Sequence, residues 1–284
     1  KTSSMSDTKR FCYVANARIL PWLLGSNYLI VWCDLYQKNK KRDLTIMQQL
    51  QVQSQSSVLS VPCFHTVYHE HGRYKIINGG SFVHDGHEYP INSKGSGVRH
   101  DILVAMVSEL KAVLGFYSRV FLSRFDLHLP EFTSVEAGNK YIRQLFKRLR
   151  ARLESRNNGF SEKIINFAYG WVCEQEKASQ PHYHCWIALP HRLVNWFGTP
   201  DRGIAGIITE VWMKLTGGKA TLVNLSKATK DYPDHYVVHR DAPESLEGPV
   251  FWLSYLAKER SKLQTGKGTR NYSTSKLSCK TQNS

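Results

Sequence analysis

The chain has 284 residues, enough for one large domain with or without a smaller attachment, and its 42% hydrophobic content supplies a core, which excludes a disordered polymer. The 38 Lys and Arg against 23 Asp and Glu give a formal charge of +15, which points to a polyanionic partner, nucleic acid first. Six cysteines, at positions 12, 33, 63, 173, 185 and 279, form no C-x-x-C pair, so neither a zinc knuckle nor a disulfide framework is indicated and a reducing cytoplasm is expected.

Near the start, the apolar stretch Ile19 to Trp32 is broken by Pro21, Gly25, Ser26 and Asn27. It falls short of the roughly 20 apolar residues of a membrane span and reads as core-forming, with no membrane partner. The chain begins at Lys1 with its first methionine at Met5, which leaves the true start open. Residues 1–97 form a separate compositional zone, read as a small, partly β N-terminal attachment. It contains the charged run Gln37 to Asp43 and a Gln/Ser-rich segment from Gln48 to Ser57. His69-Glu70-His71, followed by Gly72-Arg73, looks like a turn. Asn78-Gly79 is placed as a hairpin turn between Tyr74–Ile77 and Ser81–Val83, and Asn92 to Gly97 as a flexible exit linker.

From residue 98 the pattern is that of an antiparallel sheet carrying helices. Leu103, Met106, Val107, Leu110, Val113 and Leu114 recur at helical spacing. A strand follows within Tyr117 to Leu129, closed by Pro130. Ile142, Leu145, Phe146, Leu149 and Leu153 stripe the next helix, whose other faces carry Lys140, Arg143, Lys147, Arg148, Arg150 and Arg152. Strands are expected at Ile164 to Glu174 and His182 to Leu189, paired as antiparallel neighbours. A helix at Ile204 to Leu215, a strand at His235 to His239 and a last helix from Pro249 to about Lys262 complete an α+β fold.

Strand alternation sends His182 and His184 to one face and Tyr183, Cys185, Ile187 and Leu189 to the other. Two imidazoles about 7 Å apart along a strand can converge on one metal ion. Alone, His-x-His describes a satisfied surface pair as well as a metal site. Glu174, at the end of the preceding strand, adds a carboxylate that a hairpin would return beside them, and Glu176 has the same parity. Mixed His and carboxylate ligation suits Mn²⁺ or Mg²⁺ acting on a phosphate oxygen. Arg124, Asp126 and His128 share one face of their strand, either solvated or lining the site as an extra ligand or phosphate contact. Tyr255 and Lys258 lie three residues apart, where an ammonium would stabilise a phenolate nucleophile; in isolation the pair is an aromatic ring beside a solvated lysine.

Taken in this order, a hydrophobic strand at Phe125 to Pro130, Glu-x7-His-Tyr-His at Glu174, His182 and His184, and Tyr-x-x-Lys at Tyr255 and Lys258 resemble the motifs of the HUH endonuclease superfamily. The resemblance is to rolling-circle replication initiators with a single catalytic tyrosine. The wider pattern, Arg124 to Pro130 with Gly170 to Glu174 and His-Tyr-His, looks like the inovirus gene 2 or YagK/YfjJ-type proteins of filamentous phages and prophages, over about residues 98 to 275. It implies a ferredoxin-like, five-stranded antiparallel core in a nuclease domain spanning 98–284. It also implies a tyrosine that displaces a 3′-hydroxyl and keeps the 5′-phosphate, acting on single-stranded or hairpin origin DNA in a bacterial cytoplasm. The spacing from His184 to Tyr255 exceeds that of compact initiators, which suggests an insertion around Leu193 to Tyr232 and keeps Tyr183 and Tyr272 as alternative nucleophiles.

Backbone phosphate contacts are expected from the Lys140 to Arg152 face, Arg143 and Lys147 included, and from Lys258, Arg260, Lys262, Lys267 and Arg270. Trp171, Trp186 and Trp252 are candidates for base stacking or for the core. No G-x-x-x-x-G-K-[ST] loop occurs, so a helicase, if needed, comes from the host. The rival readings are a single-tyrosine transposase or relaxase, and a basic DNA-binding regulator without chemistry. Motif order argues against relaxases, whose tyrosine typically precedes the histidines.

Overall fold

The computed structural model describes residues 68–71, 74–155, 157, 159–175, 180–260 and 270–277. The apolar stretch Ile19 to Trp32, the runs Gln37 to Asp43 and Gln48 to Ser57, and Glu176, Lys262 and Lys267 lie outside the described residues.

The fold is α+β, and alternation of apolar residues generates its central sheet. Strand β6 (Arg119–His128) pairs antiparallel along its whole length with β8 (His182–Pro190), and β8 pairs antiparallel with β7 (Ala168–Glu174). Two short strands share the outer edge of β6: β10 (Val223–Leu225) beside Phe125 to Leu127, and β11 (His235–His239) beside Arg119 to Ser123. The far edge is β12 (Tyr272–Thr274) on β7. The order is therefore β10/β11, β6, β8, β7, β12, with β8 in the centre.

Between β6 and β7 runs helix α2 (Val135–Glu154), and between β8 and β10 runs α3 (Gly203–Thr216), preceded by the short strand β9 (Gly198–Thr199). The run β6, α2, β7, β8, α3, β10, with strands ordered β10, β6, β8, β7, is the double split-βαβ arrangement of a ferredoxin-like sheet. The stretch expected as an insertion between His184 and Tyr255 is mostly core: α3 and β10 form the second half of that arrangement. Ser134 caps α2 by accepting from the backbone N–H of Ala137, and Gly217 closes α3 in the left-handed conformation at φ 66°.

Both faces of the sheet are covered. Phe125, Leu127, Tyr183, Cys185 and Ile187 bury against Ile142, Phe146 and Leu149 of α2 and Ile204, Ile208 and Trp212 of α3. Val120, Leu122, Val172, Trp186 and Ala188 bury against α1 (His100–Phe116) and α4 (Glu247–Ser254). Every residue of the expected α1 stripe, from Leu103 to Leu114, is buried.

Further expectations change. The histidines at 69 and 71 lie in a strand, β1 (Tyr68–His71), which pairs with β2 (Tyr74–Ile77). Asn78-Gly79 is not a hairpin turn: β2 pairs with β1 and β5 (Val98–Arg99), whereas β3 (Ser81–His84) pairs with β4 (His87–Pro90). The hairpin turn is Asp85-Gly86, whose φ values of 51° and 75° match the twist that a two-residue hairpin requires. The last helix ends at Ser254 and passes through a 3₁₀ turn at Tyr255–Ala257. It stops because Lys258 turns extended (ψ 137°) to bridge Val98, and Glu259 N–H donates to Gly97 O.

That bridging also bears on the expected boundary at residue 97. Ile77, Phe82, Tyr89 and Ile91 share a core with α1 and α4, and the compact unit containing them runs from Phe64 to Ser284. Asn92 to Gly97 is a tight connection inside this unit and not an exit linker. Among the described residues, no helix is long and apolar enough to cross a membrane.

Candidate metal centre and tyrosine site

Register places the site at one end of the sheet, on the α1 and α4 face. Across the three central strands, Glu174 and His128 both lie opposite His182, and Asp126 lies opposite His184. His182 Nε2 and His184 Nε2 approach to 3.1 Å, and Glu174 Oε2 is 3.2 Å from His184 Nε2. One ligand atom from each of Glu174, His182 and His184 falls within 4.8 Å of the others, a donor set that could hold a metal ion. The group is buried to half-buried.

Asp126 falls outside that donor set. Its Oδ1 accepts from His184 Nδ1 at 2.6 Å, which fixes the ring so that Nε2 faces Glu174 and His182. His128 is likewise a supporting group. Its ring stacks on His182 at 5.6 Å between centroids, 14° from parallel, and its Nε2 pairs with Asn224 Nδ2 at 2.9 Å. Asn224 escaped sequence reasoning because β10 is too short to show a period.

The electrostatics fit a cation. Burial alone would lower the pKa of His184, yet hydrogen bonds with Asp126 and Glu174 carry it up to about 9. Burial, then the neighbouring His184, push His182 the other way. Burial would raise Asp126, but the His184 hydrogen bond holds it below its ordinary value. In the metal-free chain, a proton on His184 therefore stands between the two carboxylates where a cation would otherwise balance them.

Tyr255 and this centre share one electrostatic neighbour, Arg124. The Arg124 guanidinium carbon lies 5.7 Å from the Tyr255 ring centroid and 4.9 Å from that of Trp252, and its Nη1 donates to Trp252 O at 3.1 Å. Arg124 Nε is buried and has no hydrogen-bond partner among the described residues. Asp126, Tyr255 and Glu174 all act electrostatically on this one cation. Lys258 Nζ lies 4.9 Å from the Tyr255 ring centroid and donates to Lys94 O at 2.8 Å, while burial lowers its pKa. Tyr255 itself remains 42% exposed.

The alternative tyrosines are engaged elsewhere. Tyr183 is buried on the α2 face, donates to Asn139 Oδ1 at 3.0 Å, and has its phenol pushed far up by burial. Tyr272 lies on β12 opposite Val172, packed near Arg99, and burial raises its phenol. Arg143 and Lys147 are exposed on α2, which covers the sheet face opposite the histidines, so the structure does not bring them to the site. Arg260 and Arg270 are exposed. Trp171, Trp186 and Trp252 are buried in the two cores and are not base platforms.

Residues 84–275 match the YagK/YfjJ C-terminal domain family. No curated protein and no solved structure matches the chain.

Proposed function

We propose that this chain, which belongs to the YagK/YfjJ C-terminal domain family, nicks and rejoins single-stranded DNA with Tyr255 as its nucleophile. One observation carries the reading: Arg124 joins an exposed tyrosine to a Glu174, His182 and His184 donor set on the same sheet face.

In the reaction, the Tyr255 oxygen attacks the phosphorus, the bond to the 3′ oxygen breaks, and a 3′-hydroxyl leaves as a 5′-phosphotyrosine forms. The phosphodiester energy stays in the new bond, so reversal rejoins the strand without ATP. Glu174, His182 and His184 would hold Mn²⁺ or Mg²⁺, which supplies Lewis-acid polarisation of a phosphate oxygen. Arg124 contributes a fixed, partly unpaired guanidinium for the phenolate and the charge that builds on the phosphate. Lys258, held over the tyrosine ring, adds positive potential to the same oxygen's surroundings. A freed 3′ end of this kind primes rolling-circle replication of a phage, prophage or plasmid-like element in a bacterial cytoplasm, and a helicase would come from the host.

The test incubates the protein with Mn²⁺ and labelled single strands and hairpins, then maps covalent DNA-peptide adducts by mass spectrometry. An adduct on Tyr255, absent from Tyr255→Phe and from His182→Ala, is the expected result. Tight binding with no adduct across metals and substrates would favour a regulator that has the fold without the chemistry.

A further inference from the structure

Two residues past His128, the chain makes a tight turn at the metal end of β6. The backbone N–H and the hydroxyl of Thr133 both reach Pro130 O, at 3.3 and 2.8 Å, and the residue in the third position, Phe132, has φ 61°. A turn of this pattern takes Gly or Asn at that position, because a Cβ is crowded there by the neighbouring carbonyl. A phenyl side chain is therefore held against a steric cost. Burial of the ring does not compensate: Phe132 is 94% exposed, while no other exposed large apolar side chain among the described residues exceeds 55%.

Strain kept at an exposed aromatic ring points to use of the ring itself. The contacts available narrow the partner. Leu129 is buried and Val135 packs into the core, so neither apolar neighbour in the chain joins Phe132 in a patch of the kind a protein partner covers. The carboxylates Glu131 and Glu136 are exposed on either side and repel backbone phosphates. What remains attractive is the flat face of a nucleobase. Four residues along the chain, the Phe132 Cα lies within about 14 Å of the Cα of His128, the histidine that stacks on His182.

We infer that Phe132 is a stacking platform for one unpaired nucleobase of the strand that reaches Glu174, His182 and His184. This rests on the single-stranded DNA reading above and adds to it a contact that orients the strand base-inward beside the metal centre. Stacking of this kind tolerates any base and is lost in a duplex, whose bases are already stacked.

The experiment measures fluorescence anisotropy of a labelled oligothymidine with the full chain carrying Tyr255→Phe, so that no covalent product forms. Phe132→Ala and Phe132→Gly should weaken binding by roughly 5- to 150-fold, the usual range for removing one base-stacking ring, whereas Phe132→Tyr should retain it. Phe132→Gly should at the same time raise the melting temperature, since it removes the left-handed strain; a structural role for the ring would move stability the other way. Binding to a duplex should not respond to the substitutions. If the parent binds the single strand and Phe132→Ala binds equally well, the inference is overturned alone. If the parent binds no single strand, the DNA reading falls and the inference with it.

Discussion

At the residue scale, the decisive group is His184, whose two ring nitrogens do different work. Nδ1 bonds Asp126 and Nε2 faces Glu174 and His182, so removing the Asp126 carboxylate should loosen the ring without removing a ligand. Asp126→Asn is expected to lower Mn²⁺ affinity by about 10- to 100-fold in isothermal titration, with the melting curve of the metal-free protein still cooperative. An affinity as low as that of His184→Ala would instead make Asp126 a direct ligand. Protonation gives a second check. Burial alone would depress His184, but its partners carry it from 6.5 up to about 9, and a cation must displace that proton. Mn²⁺ affinity should therefore rise with pH up to about 9 and level off beyond. Titrations in buffers of different ionisation enthalpy should detect proton release at neutral pH. A flat affinity across that window would remove His184 from the ligand set.

Much of this residue-level arrangement was legible, because period-2 alternation fixes which side chains of one strand share a face. Arg124, Asp126 and His128 do share a face with His182 and His184 across the strand pair. Their separate roles were not legible, because those depend on which residue of β6 stands opposite which of β8. A register shifted by two would have put Arg124, not Asp126, against His184.

At the scale of elements, strong periods were readable and short edges were not. The alternation in β6 and β8 and the stripes of α1, α2 and α3 locate those elements closely. β10 and β12, three residues each, carry no period, yet one supplies Asn224 and the other closes the β7 edge. The Asn78-Gly79 signal misled because a turn motif gives local geometry only, and Tyr74–Ile77 found better partners in β1 and β5. Packing between strands makes its own prediction at Gly170. A Cβ there would lie 2.4 Å from Nε1 and 2.9 Å from Cε2 of Trp186, the residue opposite Arg124 in the sheet. Gly170→Ala should destabilise by about 1–3 kcal/mol in denaturant melts, the usual cost of overpacking, and, on the proposed function, should slow DNA cleavage by displacing the indole next to Arg124 across the strand pair. The basic face of α2 makes the opposite prediction. Because it lies across the sheet from the histidines, Arg143→Ala with Lys147→Ala should leave single-turnover cleavage unchanged, and a large loss would place DNA on that face.

For the whole molecule, the question is where the folded unit that holds the site begins. The composition change near residue 97 suggested that the nuclease domain starts there, but composition reports solvent exposure and local flexibility, not which side chains share a core. Ile77, Phe82, Tyr89 and Ile91 are at most 4% exposed and pack with α1 and α4, the helices that cover the sheet face of His182 and His184. Burying a side chain of this kind contributes about 1.5–3 kcal/mol, so losing four of them removes roughly 6–12 kcal/mol. That rivals the 5–15 kcal/mol or so by which a domain is stable at all. The cut would also strip β5 of its partner β2 and remove Lys94, whose carbonyl holds Lys258 over Tyr255. A chain beginning at residue 98 should therefore show no cooperative thermal transition and bind no Mn²⁺. A chain beginning at Phe64, the start of the compact unit, should melt cooperatively and keep the Mn²⁺-induced rise in melting temperature. Circular dichroism melts of the two with and without Mn²⁺ decide the matter, and a shorter chain that folds and binds the ion would return the boundary to residue 97.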